Sequence, residues 1–474
     1  MPIIAALLIF IAVILVRTVK FQPKAQPELS TEAVEFDHEK AIASLAELIR
    51  CKTISYSDPG LEDDAEFEKL IGKLPELYPN VFKACEFSQL PDRALLFRWP
   101  GKVAEEPAVL MAHYDVVPVN EENWDKPAFE AIIEDGVMWG RGTLDTKATF
   151  NAALFAADTL IAQGFVPEHD VYFAFSGGEE VNGKGAENIV SLFQEKGIVP
   201  GIVVDEGGAV VENVFPGVNA PCGLIGIAEK GMLNAQFRTR SSGGHASAPK
   251  PNMPIDDLAE ACVDVVGHPF KMHLTKPVAE MFDTLGRHST FLYRMIFANL
   301  WCFGWVLDLL GKSSGGEMNA LLRTTVAFTQ MEGSSARNVI PPEAKMVANM
   351  RLNPADTVES ALAYLRKTVN NGRVEITALD AFDPSRISRT DCESWDRIAA
   401  TVAETWPGCI VSPYLMVQCS DSRSWGVISD KVYRFCAMDL TAEERATIHG
   451  NNERVRLEGI SKAVEFYIRL IRKC

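Results

Sequence analysis

Hydrophobic and polar positions alternate along this chain in three textures. The first is an unbroken apolar run from Ile3 to Val16, IIAALLIFIAVILV, with Arg17, Lys20 and Lys24 after it. A bilayer-spanning helix needs about 20 such residues, so the run reaches that length only with Met1, Pro2 and the flank to Phe21. No basic residue precedes the run and no A-x-A-like site follows it, which argues against a removed signal peptide. Residues 1–21 therefore read as an uncleaved single-pass anchor, and the charges on its C-terminal side favour a cytoplasmic body. Residues 22–36, polar and holding Pro23 and Pro27, read as a linker.

The second texture covers residues 37–230. DHEKAIASLAELIR repeats its apolar residues at helical spacing, and AALFAADTLIAQG does the same. Between such stretches PAVLMAHYDVVPV, DVYFAFSG and GIVVDEGG are short apolar runs of the kind that form buried strands. Strands alternating with helices predict an α/β domain built on a mostly parallel sheet, with its sites at the carboxyl ends of the strands. In the third texture, residues 231–380, LNAQFRTR, TTVAFTQMEG and AKMVANMRLN alternate as antiparallel strands do. Residues 381–474 return to the helix and strand alternation, so the middle region reads as an α+β domain inserted into the first. One stretch in it, Phe291 to Leu310, is long enough to span a bilayer, but Arg294, Asn299 and Asp308 make that costly. It reads as a buried helix pair or an interface helix, with a membrane-facing or acyl-chain-binding surface as the alternative.

At 474 residues the chain has the length for about three domains or two large lobes. Its 63 acidic against 46 basic residues give a net charge of −17. Such a surface repels phosphate backbones, and no basic run offsets it, so nucleic acid is not an expected partner. The ten cysteines form no CxxC pair and no Cys/His zinc spacing, and read as buried or free thiols.

The candidate chemistry lies at the ends of the expected strands. His113 and Asp115 stand in AHYDVV, Asp145 in GRGTLDTK, Glu179 and Glu180 in SGGEEVNGKG, Asp205 in VVDEGG and His449 in IHGNNE. Each alone has an ordinary reading: a hydrogen-bonded strand-end histidine, a turn-capping aspartate, a solvated pair of glutamates. Most of them, however, adjoin glycines or follow apolar strands, where charge is costly to bury. Two histidines with several carboxylates form a ligand set that zinc takes, leaving a position for water. In an extended chain Glu179 and Glu180 face opposite sides, so one binds metal while the other acts as base. The glycine loop is not a phosphate loop, because Gly185 stands where Ser or Thr would hold magnesium and two glutamates would repel phosphate.

These strings, with EKG at 229–231, GHASAP, RNVIPP, SDSRSW and IHGNNERV, resemble in order and spacing the co-catalytic zinc aminoacylase and carboxypeptidase family. The resemblance runs from about residue 40 to the C-terminus and is nearest to the carboxypeptidase S and N-acyl-amino-acid hydrolase branch. It implies two zinc ions per chain bridged by Asp145, with His113 and Asp205 completing one site and Glu180 and His449 the other. It implies Glu179 as general base, Asp115 as the acid that orients a ligand, and an inserted lid through which the chain dimerises. From that lid His245 would reach a second subunit's site, and Asn338 and Arg351 would hold substrate. The reaction implied is hydrolysis of an amide beside a free carboxylate, in a peptide or an N-acyl amino acid. The rival reading is a catalytically inactive, membrane-tethered binding protein on the same fold. Two departures, Gly177-Gly178 before the glutamate pair and Ser424-Trp425 after SDSR, bear on substrate preference.

Overall fold

In the computed structural model, which describes residues 2–24, 29–30, 32–213 and 215–474, the apolar runs become strands of one large sheet. Its first six strands are β1 (Glu86–Leu90), β2 (Ala94–Trp99), β3 (Val103–His113), β4 (His169–Ser176), β5 (Ile202–Val211) and β6 (Cys222–Glu229). The chain then builds a separate sheet from β7 (Gly231–Arg240), β8 (Thr325–Glu332), β9 (Glu343–Leu352) and β10 (Glu375–Phe382). It returns to the first sheet with β11 (Ile410–Met416) and β12 (Val432–Leu440). The linker expected at 22–36 falls partly outside the described residues.

The eight strands of the main sheet run in the order β1-β2-β4-β3-β5-β12-β6-β11. The β3–β4, β3–β5, β5–β12 and β6–β11 pairs are parallel, and β1 and β2 add an antiparallel edge. The apolar run of β3 shows why this sheet is covered on both sides. Ala108, Leu110 and Ala112 pack into one core with the helices Lys147–Ala162 and Leu457–Ile471. Val109 and Met111 pack into another, with the helix Gly185–Glu195. Alternate residues are thus buried on opposite faces, which a continuous apolar strand satisfies and an amphipathic one does not.

The inserted sheet is antiparallel, in the order β8-β9-β7-β10. Burial alternates along β7 and β9, because only one face is covered, by the helices Pro254–Gly267 and Val358–Val369. The helices between Lys276 and Leu322 lie within the insertion in sequence but join the main sheet in space. Val278, Met281, Phe282, Leu285 and Leu322 share a core with Leu224, Tyr414 and Met416 of β6 and β11.

The N-terminal apolar run forms the helix Pro2–Lys20, long and apolar enough to cross a membrane. Phe291–Leu310 forms a helix pair, as the first of its two sequence readings expects, but one that is buried only in part. It forms two helices, Phe291–Ala298 and Leu300–Ser314, bent by 112° at Asn299. Phe297, Ala298, Leu307 and Gly311 are buried, whereas Trp301, Trp305 and Leu309 stay exposed. All ten cysteines are free.

Candidate metal centre

Three neighbouring strands bring acidic and histidine side chains to one point, two of them at their carboxyl ends and β5 from its middle. β3 ends on His113, β4 leads through Gly177-Gly178 to Glu179 and Glu180, and β5 carries Asp205-Glu206. Asp145 comes from the loop before the helix Lys147–Ala162, and His449 from a loop where it takes the left-handed conformation, φ 57°. For a histidine that region is sparsely populated and is held by its surroundings.

Ligand atoms of His113, Asp145 and Glu180 lie within 4.8 Å of one another, as do those of His113, Glu179 and Glu206. His449 Nε2 is 3.0 Å from both Asp145 Oδ2 and Glu180 Oε2. The tautomer of His113 follows from its partners. Its Nδ1 is 3.0 Å from the backbone carbonyl of Asp115, which only accepts, so Nδ1 carries a proton. Nε2 is then left facing Asp145 Oδ1 at 3.0 Å and Glu206 Oε1 at 3.5 Å. A proton or a cation must stand there, and in the protein alone the facing carboxylates raise the His113 pKa well above the ordinary range despite its burial. Glu180 Oε1 is buried with no hydrogen-bond partner among the described residues. An orphaned carboxylate oxygen is costly, and a coordinated cation satisfies it. The donor set therefore fits divalent metal.

The carboxylates bear out how unfavourable this assembly is without a counter-charge. Burial, with Asp145 and Asp205 nearby, pushes Glu206 up to about 8. Burial, with Glu206, Asp421 and Glu180 beside it, raises Glu179 well above the usual carboxylate range. Next to the two histidines, Asp145 is held far below it despite burial.

The sequence reading placed Asp205 in the cluster, and the structure brings Glu206 there instead. Adjacent strand residues point to opposite sides. Asp205 turns into a buried network, accepting a 2.9 Å bond from the Ser422 amide, while Ser420 and Ser422 bond to Glu229, itself paired with Arg434. The alternation invoked for Glu179-Glu180 applies here instead, since those two glutamates lie in a single helical turn, Glu179–Val181, and both line the same cavity. Asp115, fully buried, caps that turn: its carboxylate accepts the Glu179 amide at 3.1 Å and the Glu180 amide at 3.2 Å. It thus aligns both glutamates as well as His113. Sequence reasoning also passed over Glu453, which is buried and gathers the amides of Gly142, Leu144 and Asp145, clamping the loop that presents Asp145. Its signal was a charge inside a glycine- and asparagine-rich string.

Of the two departures, Gly177 has a steric cause, because a Cβ there would sit 2.6 Å from the Tyr114 ring. Trp425 is fully buried against Phe193, with ring centroids 5.0 Å apart.

Asp145, Glu179, Glu180, Glu206 and His449 line a cavity of about 730 Å³ whose remaining wall includes Val211, Leu224, Tyr414, Met416 and Leu440. Arg351 Nη1 donates to Cys419 Sγ at 3.2 Å, and Cys419 lines the same cavity. His245 and Asn338 lie elsewhere, on the two-stranded ribbon Gly244–His245 and Val339–Ile340, where the Asn338 carbonyl accepts the Ala246 amide at 2.9 Å. His245 is exposed and accepts at Nδ1 from the Ser247 amide, 3.1 Å, which leaves the proton on Nε2.

A model of one peptidase family matches residues 109–473, a span that takes in the whole cluster. The chain belongs to peptidase family M20/M25/M40. It is therefore a metallohydrolase by family. It is 33% identical over 99% of its length to the N-fatty-acyl-amino acid synthase/hydrolase PM20D1 of Xenopus tropicalis, of which 93% is covered. It is 32% identical, with the same two coverages, to the probable carboxypeptidase S-like 2 of Dictyostelium discoideum. Among solved structures, the M20 family metallo-carboxypeptidase Sso-CP2 of Sulfolobus solfataricus superposes with a TM-score of 0.67 at 17% identity, covering 91% of this chain and 98% of that one. The α/β fold with its insertion is thus that of M20 metallopeptidases, and the relatives support the enzyme over an inactive binding protein.

Proposed function

We propose that the protein hydrolyses the amide bond between an acyl group and an amino acid whose carboxylate is free, using two zinc ions. The observation that carries this reading is one cavity with the His/carboxylate cluster at one end and an apolar wall beside it. Its volume, about 730 Å³, suits a small ligand, and the apolar wall suits an apolar acyl or side chain. Both kinds of relative carry names of such enzymes. His113, Asp145, Glu180, Glu206 and His449 would hold the two ions, Asp145 being the carboxylate that faces both histidines. When bound, the ions lower the pKa of water and polarise the scissile carbonyl.

The Glu179 carboxylate takes the proton of the attacking water and returns it to the leaving amine nitrogen. Its raised pKa strengthens it as a base once ionised. Arg351 binds the substrate carboxylate through its guanidinium, a bidentate match. His245, protonated on Nε2 and exposed, has the donor needed for a developing oxyanion, and a second copy of the chain brings it to the cavity. Asn338, on the same ribbon, approaches substrate with it, which makes the lid-mediated homodimer the working unit. The helix Pro2–Lys20 is retained as an anchor, its basic end favouring a cytoplasmic body.

A panel of substrates offered to the zinc-loaded protein tests this: Gly-X dipeptides, N-fatty-acyl amino acids, and each of these with its carboxylate amidated. Hydrolysis is expected only with the free carboxylate. Equal turnover of the amidated forms would contradict the reading.

A further inference from the structure

The apolar helix pair Phe291–Ala298 and Leu300–Ser314 turns its largest side chains outward. Trp301, Trp305 and Leu309, spaced at i, i+4 and i+8, form a stripe on one helix face and are 58%, 67% and 58% exposed. Phe291 and Leu292 on the first helix are exposed as well. An amphipathic helix on a water-facing surface has the opposite arrangement.

The polar side chains that argued against lipid contact all have partners within the protein. Arg294 donates to the Ser289 carbonyl at 2.9 Å and to Gln22 Oε1 at 3.1 Å. Asp308 is paired with Lys312 and Arg323, at 2.8 and 2.7 Å. Asn299, at the bend, is buried and donates to Ile14 O and Thr18 Oγ1, both at 3.3 Å.

Those last bonds fix the pair to the N-terminal helix. Arg17 Nε adds a bond to Ala298 O at 3.1 Å, and Phe10 meets Trp301 edge to face with centroids 5.7 Å apart. Phe10 lies seven residues before Arg17, about 10 Å along a helix. If Pro2–Lys20 crosses a bilayer with Arg17 and Lys20 at the water boundary, Trp301 must lie about 10 Å inside it. The packing thus holds the bend and the start of the second helix against the N-terminal helix.

We propose that the helix pair is a second membrane-embedded element, which enters one leaflet beside the N-terminal helix without spanning it. The occupant of its exposed stripe is the acyl region of a bilayer. This rests on the anchor reading above and adds a consequence for the cavity. Leu307 and Leu322 share a core with Leu224, Tyr414 and Met416, and Gly316 and Glu317, directly after the pair, line the cavity with those three residues. The catalytic cavity is thereby seated beside the lipid, where substrates with long acyl chains partition.

The test uses the full chain in phosphatidylcholine vesicles whose acyl chains carry bromine, a quencher of tryptophan fluorescence. A Trp301→Phe, Trp305→Phe variant keeps the face apolar, and its difference from wild type isolates the emission of the two tryptophans. Flotation with the vesicles, together with loss of most of that difference emission relative to unbrominated lipid, is expected. Flotation with no loss overturns the inference while leaving the anchor intact. Failure to float overturns both. Loss of exposure in solution through self-association, read by cross-linking on this face with no bromine quenching, assigns the stripe to a second copy and also overturns it.

Discussion

The neighbouring acids Asp205 and Glu206 give opposite outcomes when neutralised. Glu206 is pushed up to about 8 by burial and the carboxylates around it, from an ordinary value of 4.5. An acid whose folded pKa is raised costs stability that grows as pH climbs from the unfolded toward the folded value. Between 4.5 and 7, at about 1.4 kcal/mol per pH unit, the metal-free protein loses up to about 3 kcal/mol at pH 7 on this account. Glu206→Gln removes that cost, so the chelated variant should melt above chelated wild type. With zinc the order should reverse, because the variant has lost a ligand carboxylate and with it the stabilisation that bound metal supplies. Asp205→Asn should keep the full metal content, because its carboxylate is engaged by the Ser422 amide and not by the cluster. Thermal melts with and without chelator, read beside metal analysis, measure all four cases. Melting orders that do not cross, or metal lost from Asp205→Asn and kept by Glu206→Gln, would refute the assignment.

Three further outcomes are expected. Glu179→Gln should lose about 10²–10⁴-fold or more in turnover while keeping its metal, whereas Glu180→Gln should lose metal as well, as elemental analysis of the two will tell. Chains carrying His245→Ala and chains carrying Glu179→Ala, each inactive alone, should recover activity when mixed as dimers; no recovery speaks against action across subunits. Burial and the neighbouring Arg351 bring the Lys230 ammonium down to about 7 from an ordinary 10.5, so the unfolded chain binds the extra proton between those values and stability rises with pH across that window. Lys230→Met should flatten that rise in denaturant titrations from pH 7 to pH 10, and an unchanged slope would count against the buried amine.

The strands of the main sheet were legible because burial on both faces demands uninterrupted apolar runs, as in PAVLMA of β3. The inserted sheet was legible for the opposite reason, its single covered face imposing alternation on β7 and β9. Most of the cluster was legible as well, since charged residues beside glycines at strand ends are costly without a task. What the sequence could not carry was direction. DEGG offers two acids, and only the β5 register, with Ser422 drawn to Asp205, decides which one turns toward His113. Strand alternation failed for Glu179-Glu180, where the chain had already coiled into a turn capped by Asp115. The segment Lys276–Leu322 escaped the domain division because its partner, β11, lies almost a hundred residues further along the chain.

Metal stoichiometry tied to turnover tests the central claim most directly. Full-length protein, loaded with zinc and freed of excess, is analysed for metal while hydrolysis of an N-acyl amino acid is followed. Two ions per chain are expected, with activity lost on chelation and restored by added zinc. Hydrolysis that persists in fully chelated protein, or a loaded chain that holds no metal, would contradict the account.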